Sequence, residues 1–273
     1  MLDKYDLYEL CAQAPARDAR FLRALHGGRP RILGEDFSGG GAIAKEWVRL
    51  FPGARGVAVD RDPEPLARLT GARGITVVRD DVRRATNNVD LIADLNFSIC
   101  EIHSRRDLVA YLKHARSRLR SSRATGRGVF VCDIYGGSDA YYTGVITERK
   151  KGPSGERVVY EWEQRHADPL TGRVVNAMHF RVTPAEPAKR ARRSRGSARK
   201  PYSIRDAFVY DWRLWSVPEL REAMLDAGFA KTEVYPRFAE AIDDEGNMYV
   251  SPIEDPAEAG DSFSVYVVGR LSG

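Results

Sequence analysis

Cysteine is scarce. The 273-residue chain has three, Cys11, Cys100 and Cys132, far apart and odd in number. That excludes a disulfide framework and suits a reducing compartment, so a cytoplasmic location is expected. The five histidines show no metal-ligand spacing with the cysteines, and no metal is expected. No apolar run approaches the roughly 20 residues that a membrane helix needs, so no membrane partner is expected. The opening MLDKYDLYEL mixes charges with apolar residues and does not read as a signal peptide. No internal repeat is visible. What is present is ordinary for a globular protein: 43% hydrophobic and 30% charged residues.

The net charge of +5 is unevenly placed. Segment 184–203, PAEPAKRARRSRGSARKPYS, holds seven Lys/Arg and one acid, a net of +6 that leaves −1 for the rest. It is poor in large apolar residues and cannot bury enough surface to order itself, so it reads as a mobile basic loop.

From residue 31 to 136 strand and helix signals alternate. Short apolar strands are expected at 31–34, 55–60, 74–78, 89–95 and 128–135, with helices at 15–26, 41–51, 63–70 and from Ser104 to about 120. This alternation predicts an α/β fold with a doubly wound parallel sheet. After 136 the character changes. RVVYEWEQR (157–165) and RVVNAMHFRV (173–182) form a hairpin around HADPLTG, and IRDAFVYDW (204–212) reads as a further strand. SVPELREAMLDAGF (216–229) reads as a helix with a serine cap and a glycine stop, before two closing strands. The expected organisation is a helical segment or lid over 1–30 and a core made of 31–136 and 204–273. A β-rich insertion over 137–203 lies between strand five and the last helix.

RILGEDFSGGGAIAKEW (31–47) carries the chemistry. A ligand approaches a backbone closely only where side chains are absent, and Gly39, Gly40 and Gly41 supply that gap at a strand-to-helix turn. The plainer alternative is a tight turn. Asp60 ends the second strand, where a carboxylate can accept both ribose hydroxyls; the alternative is a strand-end cap. Asp81 follows the third strand, where an adenine amino group can be bonded, or it is a solvated turn acid. Asn96 ends the fourth strand and offers donor and acceptor. GGGAIA also satisfies a loose dinucleotide pattern. However, Glu35 and Asp36 precede the turn, and carboxylates there oppose a pyrophosphate and favour the cationic methionyl sulfonium of S-adenosylmethionine.

These residues resemble the class I S-adenosylmethionine-dependent methyltransferases: E-x-x-x-G-x-G after strand one, an acid after strand two, D-D-V after strand three and D-x-N-F after strand four. More narrowly, EDFSGGGAIAKEWV, VDRDPEPL, LNFSICEI, DIYGG, YEWEQRHADPLTGR and FVYDWRLWSVPELREAMLDAGF are similar to a bacterial group of these enzymes of unassigned substrate. The resemblance covers the chain except the basic loop and implies a Rossmann-like sheet, S-adenosylmethionine as cofactor and methyl transfer as activity. It places Glu35 and Gly39 at the methionyl end and Asp60 at the ribose, with Phe37, Ser38, Gly41 and Arg61 as further cofactor contacts. Asp81 and Val82 stand at the adenine, and Asn96 with Phe97 near the sulfonium and acceptor. Phe37 stands where the class usually has its first glycine, and Ser38 where the group often has cysteine.

Methyl transfer requires alignment and, for an amine, a neutral nitrogen. Candidates for catalytic contact are Asn96, Tyr135 and His179, with Glu101, His103 and Asp133 also near expected strand ends. Tyr160 and Trp162 are two apart and share a sheet face. With Tyr210, Arg213 and Trp215 they are the expected substrate contacts, as an aromatic lid over a small molecule, or else the insertion's own core. Arg213 can meet a substrate carboxylate or lie on a tryptophan. Two alternatives stand beside a small-molecule methyltransferase. One is an NAD(P)-linked oxidoreductase; the other is an RNA-directed enzyme or binding protein using the basic loop.

Overall fold

The computed structural model describes residues 1–121, 127–185, 200–237, 241–242 and 248–272. Most of the basic segment, 186–199, therefore lies outside the described residues. The chain divides into two compact units, Met1–Gln13 with Tyr141–Trp212, and Ala14–Ala140 with Arg213–Gly273. The expected boundaries are corrected in two places. The N-terminal segment is split between the units, and residues 204–212 belong with the insertion because they form a strand of its sheet.

The larger unit starts with α2 (Pro15–His26), which follows α1 (Lys4–Ala12) of the smaller unit. α2 has proline at its first position and ends on Gly27 in the left-handed region. Then come β1 (Ile32–Asp36), α3 (Ala42–Leu50), β2 (Arg55–Asp60), α4 (Pro63–Leu66), β3 (Ile75–Arg79), β4 (Leu91–Asp94), α5 (Arg105–Arg118) and β5 (Val129–Gly137). After the smaller unit's β6 (Gly144–Lys151), β7 (Arg157–Asp168), β8 (Arg173–Thr183) and β9 (Tyr202–Arg213), the chain continues with α6 (Val217–Asp226) and β10 (Lys231–Pro236). The short pair β11 (Ala241–Ile242) and β12 (Met248–Tyr249) precedes β13 (Ser262–Arg270).

The seven-stranded sheet has the order β10-β13-β5-β4-β1-β2-β3. β3, β2, β1, β4 and β5 are parallel, and β13 runs antiparallel to both β5 and β10. From the centre the chain winds outward as β1, β2, β3 on one side and as β4, β5 on the other. The strand order thus reverses between β1 and β4, and the carboxyl ends of strands at such a point are where open α/β sheets bind ligands. One face of the sheet buries Leu33, Leu91, Ala93, Val129 and Val131 against Phe21, Leu22 and Leu25 of α2 and Ile43 and Trp47 of α3. On the other face Tyr111 of α5 meets Phe130 of β5 edge-on at 6.0 Å.

The smaller unit is a four-stranded sheet, β6-β7-β8-β9. β7 and β8 form the expected hairpin, with Tyr160 opposite Phe180 and Trp162 opposite Met178. α1, started by an Asp3–Asp6 capping box, packs Leu7 and Cys11 on Val158, Tyr160, Met178 and Phe180. β6 was not expected from the sequence. All eight of its residues, GVITERKK, are exposed, so no buried face imprints an alternating pattern.

Candidate cofactor crevice

Successive side chains of a strand point to opposite faces, and this sends the two acids of GED in different directions. Glu35 turns toward α3 and accepts the N–H of Ile43 at 3.3 Å and of Ala44 at 2.7 Å. Asp36 turns toward α5, where the Arg118 guanidinium donates to both its oxygens at 3.0 and 2.8 Å and the Tyr111 hydroxyl donates at 3.0 Å. The expectation that both acids bias the turn electrostatically is corrected. Asp36 is neutralised by a buried guanidinium, and Glu35 occupies the amino terminus of α3.

Burial pushes the Glu35 carboxyl up to about 7, against the two amides that stabilise its charge. The unfolded chain releases this proton near 4.5, so from there to about 7 the folded protein holds a proton that the unfolded chain has lost. The group's contribution to stability is full at low pH and declines as pH rises through that window, by up to about 3 kcal/mol. Glu35→Gln cannot ionise. Its stability relative to wild type should therefore rise by about 3 kcal/mol between pH 5 and pH 8 in urea unfolding. A difference that stays constant with pH contradicts the burial of this carboxyl.

The turn itself is left-handed at Phe37, Gly39 and Gly41, with φ of 53°, 50° and 62°. Gly41 caps α3, and a Cβ there would stand 2.7 Å from Leu69 Cδ1. The Gly39 position has open space around it, as a ligand-facing backbone requires. Asp60 holds the turn from β2: one oxygen accepts the Gly39 N–H at 2.7 Å, the other the Asp62 N–H at 2.9 Å. Each oxygen keeps a further lone pair. Ser38 is buried, and its Oγ has no hydrogen-bond partner among the described residues. Arg61 is exposed and reaches Glu101 at 3.6 Å.

Across the switch point, Asn96 and Phe97 are consecutive left-handed residues, φ 61° and 64°. Such conformations persist in non-glycine residues only where the surroundings impose them, and they cluster at functional sites. The imposing group is Asp133, fully buried on β5, which accepts the N–H of Phe97 at 2.7 Å and is also bonded by the Asn96 backbone. Arg237 approaches Asp133 at 3.1 Å and lies 4.9 Å from the Phe97 ring centre, while Tyr135 meets that ring edge-on at 5.2 Å. The Asn96 Oδ1 is buried with no partner among the described residues. Asp94 is buried near the Tyr111 hydroxyl; desolvation, then the negative Asp36 and Asp133, push its carboxyl well above the usual range.

The structure therefore gathers Glu35, Phe37, Ser38, Gly39, Gly41 and Asp60 on one side of the switch point and Asn96, Phe97 and Tyr135 on the other. Asp81 and Val82 follow β3, in line with Asp60 through the β2–β3 ladder. Asp81 is clasped by Arg83, whose Nε and Nη2 donate at 2.8 and 2.6 Å, and this pairing lowers its carboxyl to about 2.

The expected substrate contacts have partners within the protein. Arg213 lies 3.8 Å over the Trp215 ring, donates to the His103 carbonyl at 2.9 Å and pairs with Glu219. Trp215 is buried, with Nε1 donating to the Ile102 carbonyl. Tyr160 is buried beneath α1, and Trp162 and Tyr210 are half-buried in a stack with Trp212, so the aromatic face is the smaller unit's own core.

His179, the expected catalytic candidate of the insertion, is also buried in that unit. Its Nδ1 accepts the Asp206 N–H at 2.9 Å, and its Nε2 is 2.9 Å from Glu163. Both ring nitrogens are thus engaged. Glu163, His179 and Asp206 have metal-ligand spacing, but Arg165 bonds both carboxylates and supplies the cation itself. The pairings Asp36–Arg118 and Asp133–Arg237 escaped the sequence analysis. Asp133 left one trace, an acid inside the apolar run VFVCDIY.

No protein-family model matches the sequence, and no curated protein matches it. Solved structures do match in fold. DesVI from Streptomyces venezuelae has a TM-score of 0.67 at 15% identity, with 100% of each chain covered. CalS10, an amino pentose methyltransferase from Micromonospora echinaspora solved with S-adenosylmethionine bound, has 0.64 at 15% identity, covering 100% of this chain and 98% of its own. An S-adenosylmethionine-dependent methyltransferase from Clostridium acetobutylicum has 0.62 at 16% identity, with 98% of each chain covered. The chain has the Rossmann-like α/β fold of these methyltransferases.

Proposed function

We propose that the chain binds S-adenosylmethionine in the crevice between β1 and β4 and transfers its methyl group to a small-molecule acceptor, an amine before a hydroxyl. The observation that carries this reading is the position of Glu35. A dinucleotide needs the N–H groups of the helix after β1 for its pyrophosphate, and in α3 those of Ile43 and Ala44 already serve a protein carboxylate. A nucleoside joined to a cationic amino-acid arm has no such requirement.

When bound, S-adenosylmethionine supplies an electrophilic methyl group on a sulfonium. The chain's part is to hold and align. Asp60 accepts the ribose hydroxyls, Val82 and Asp81 bound the adenine, and the bare Gly39 backbone admits the methionyl arm. Asn96 Oδ1 accepts an N–H of the acceptor amine, which aims the nitrogen lone pair at the methyl carbon. Phe97 and Tyr135 form the wall beside it. The similarity to an amino pentose methyltransferase puts amino sugars first among acceptors to try.

Calorimetry with S-adenosylmethionine, S-adenosylhomocysteine, NAD and NADP tests the cofactor. Micromolar binding of the first two and none of the latter is expected. Preference for NAD(P), or no binding of either sulfur ligand, overturns the reading. Mass spectrometry of an amino-sugar panel then looks for the gain of one methyl group.

A further inference from the structure

A cleft of about 560 Å³ opens at the opposite end of the larger unit's sheet, where the strands begin. Arg31, Ile32, Gly53, Arg55, Asp90, Arg120 and Ser121 line it. The backbone explains why three arginines meet there. The Arg55 N–H donates to the Arg31 carbonyl, the Asp90 N–H to Ile32, and the Arg120 N–H to Val89. Arg31 and Arg55 therefore spring from adjacent rows of the sheet, about 4.8 Å apart, and Arg120 from beyond the row that carries Asp90. Three arginines and one aspartate line the cleft, a formal net of +2.

That carboxylate is already engaged. Asp90 Oδ2 accepts the N–H groups of Arg31 and Ile32 at 2.8 Å each, and Oδ1 is 3.6 Å from Arg120. The guanidinium groups of Arg31 and Arg55 have no carboxylate partner among the described residues. Ser121 Oγ accepts the Gly128 N–H at 3.2 Å, which leaves its own proton to donate.

We propose that this cleft is a second binding site, for the polyphosphate group of a small ligand. Guanidinium forks match phosphate oxygens two at a time, and two unpaired forks plus a shared third suit linked phosphates better than one carboxylate. The volume is that of a small-molecule site. Among the described residues no aromatic side chain lines it for base stacking, which argues against single-stranded RNA. The five residues of β1 separate it from the cofactor crevice by about 16 Å, so it is independent of the methyl-transfer reading.

Calorimetric titration with inorganic triphosphate tests it on the full chain, using wild type, Arg31→Gln, Arg55→Gln and the double variant. Circular dichroism confirms that each variant folds. The wild type should bind, each single variant about tenfold more weakly and the double variant about 100-fold more weakly. S-adenosylmethionine titrations of the same variants should superimpose on wild type. Triphosphate binding that is absent in wild type, or unchanged in the double variant, overturns the proposal. So does an RNA oligonucleotide that binds through these arginines while triphosphate does not.

Discussion

Asp60→Ala should weaken S-adenosylmethionine binding by about 100-fold or more, read by calorimetry. Two effects add. The variant loses the charged acceptor for the ribose hydroxyls, where each hydrogen bond to a charged group contributes about 1.5–3 kcal/mol. It also releases the glycine turn, because Asp60 ties the Gly39 N–H to the end of β2 and holds the Asp62 N–H beside it. Asp60→Asn separates the two. It keeps one oxygen for the turn but loses the charge, so it should bind about tenfold more weakly than wild type. The sheet does not depend on this side chain, and the unfolding midpoint should move little. A dissociation constant for Asp60→Ala within threefold of wild type would place the ribose elsewhere and remove the centre of the proposed site.

The largest loss of stability is expected from Arg118→Ala, about 3–5 kcal/mol. Arg118 and Asp36 are both buried, their side chains 2% and 0% exposed, and they join α5 to the end of β1 across 82 positions of sequence. Removing the guanidinium leaves buried Asp36 with the Tyr111 hydroxyl as its one hydrogen-bond donor among the described residues. An unpaired buried charge is costly, whereas an apolar pair of similar volume often is not. The double variant Asp36→Leu/Arg118→Met should therefore recover most of the loss. Urea unfolding distinguishes the outcomes through the midpoint at constant slope. A loss below about 1 kcal/mol for Arg118→Ala would mean that water reaches the pair. The clamp also bears on the site, since Phe37 follows Asp36 directly, is left-handed, and meets Tyr111 edge-on at 6.0 Å.

Sequence by itself determined the parallel core and the side of the sheet on which to look. Alternating strand and helix signals, Ser216 as a helix cap, and glycines between β1 and α3 are local features, and each is decided within a few residues. The turn residues and Asp60 were legible for the same reason, because a bare backbone and an acid at a strand end are visible in the chain itself. Only the tertiary structure decided what the acids do. Glu35 and Asp36 are neighbours in sequence, but the pleat sends one to α3 and the other to Arg118, and their joint electrostatic effect on the turn disappears. The aromatic run of the insertion could line a ligand site or a core, and the packing of α1 over Tyr160 made it a core. His179 is a plausible base in sequence and a hydrogen-bonded strut in the fold, because Asp206 and Glu163 take both its nitrogens. Asp133 with Arg237, and the arginines where the strands begin, are joined only by strand order. Long-range pairings of this kind leave no periodic trace, since their geometry is set by which strands lie side by side.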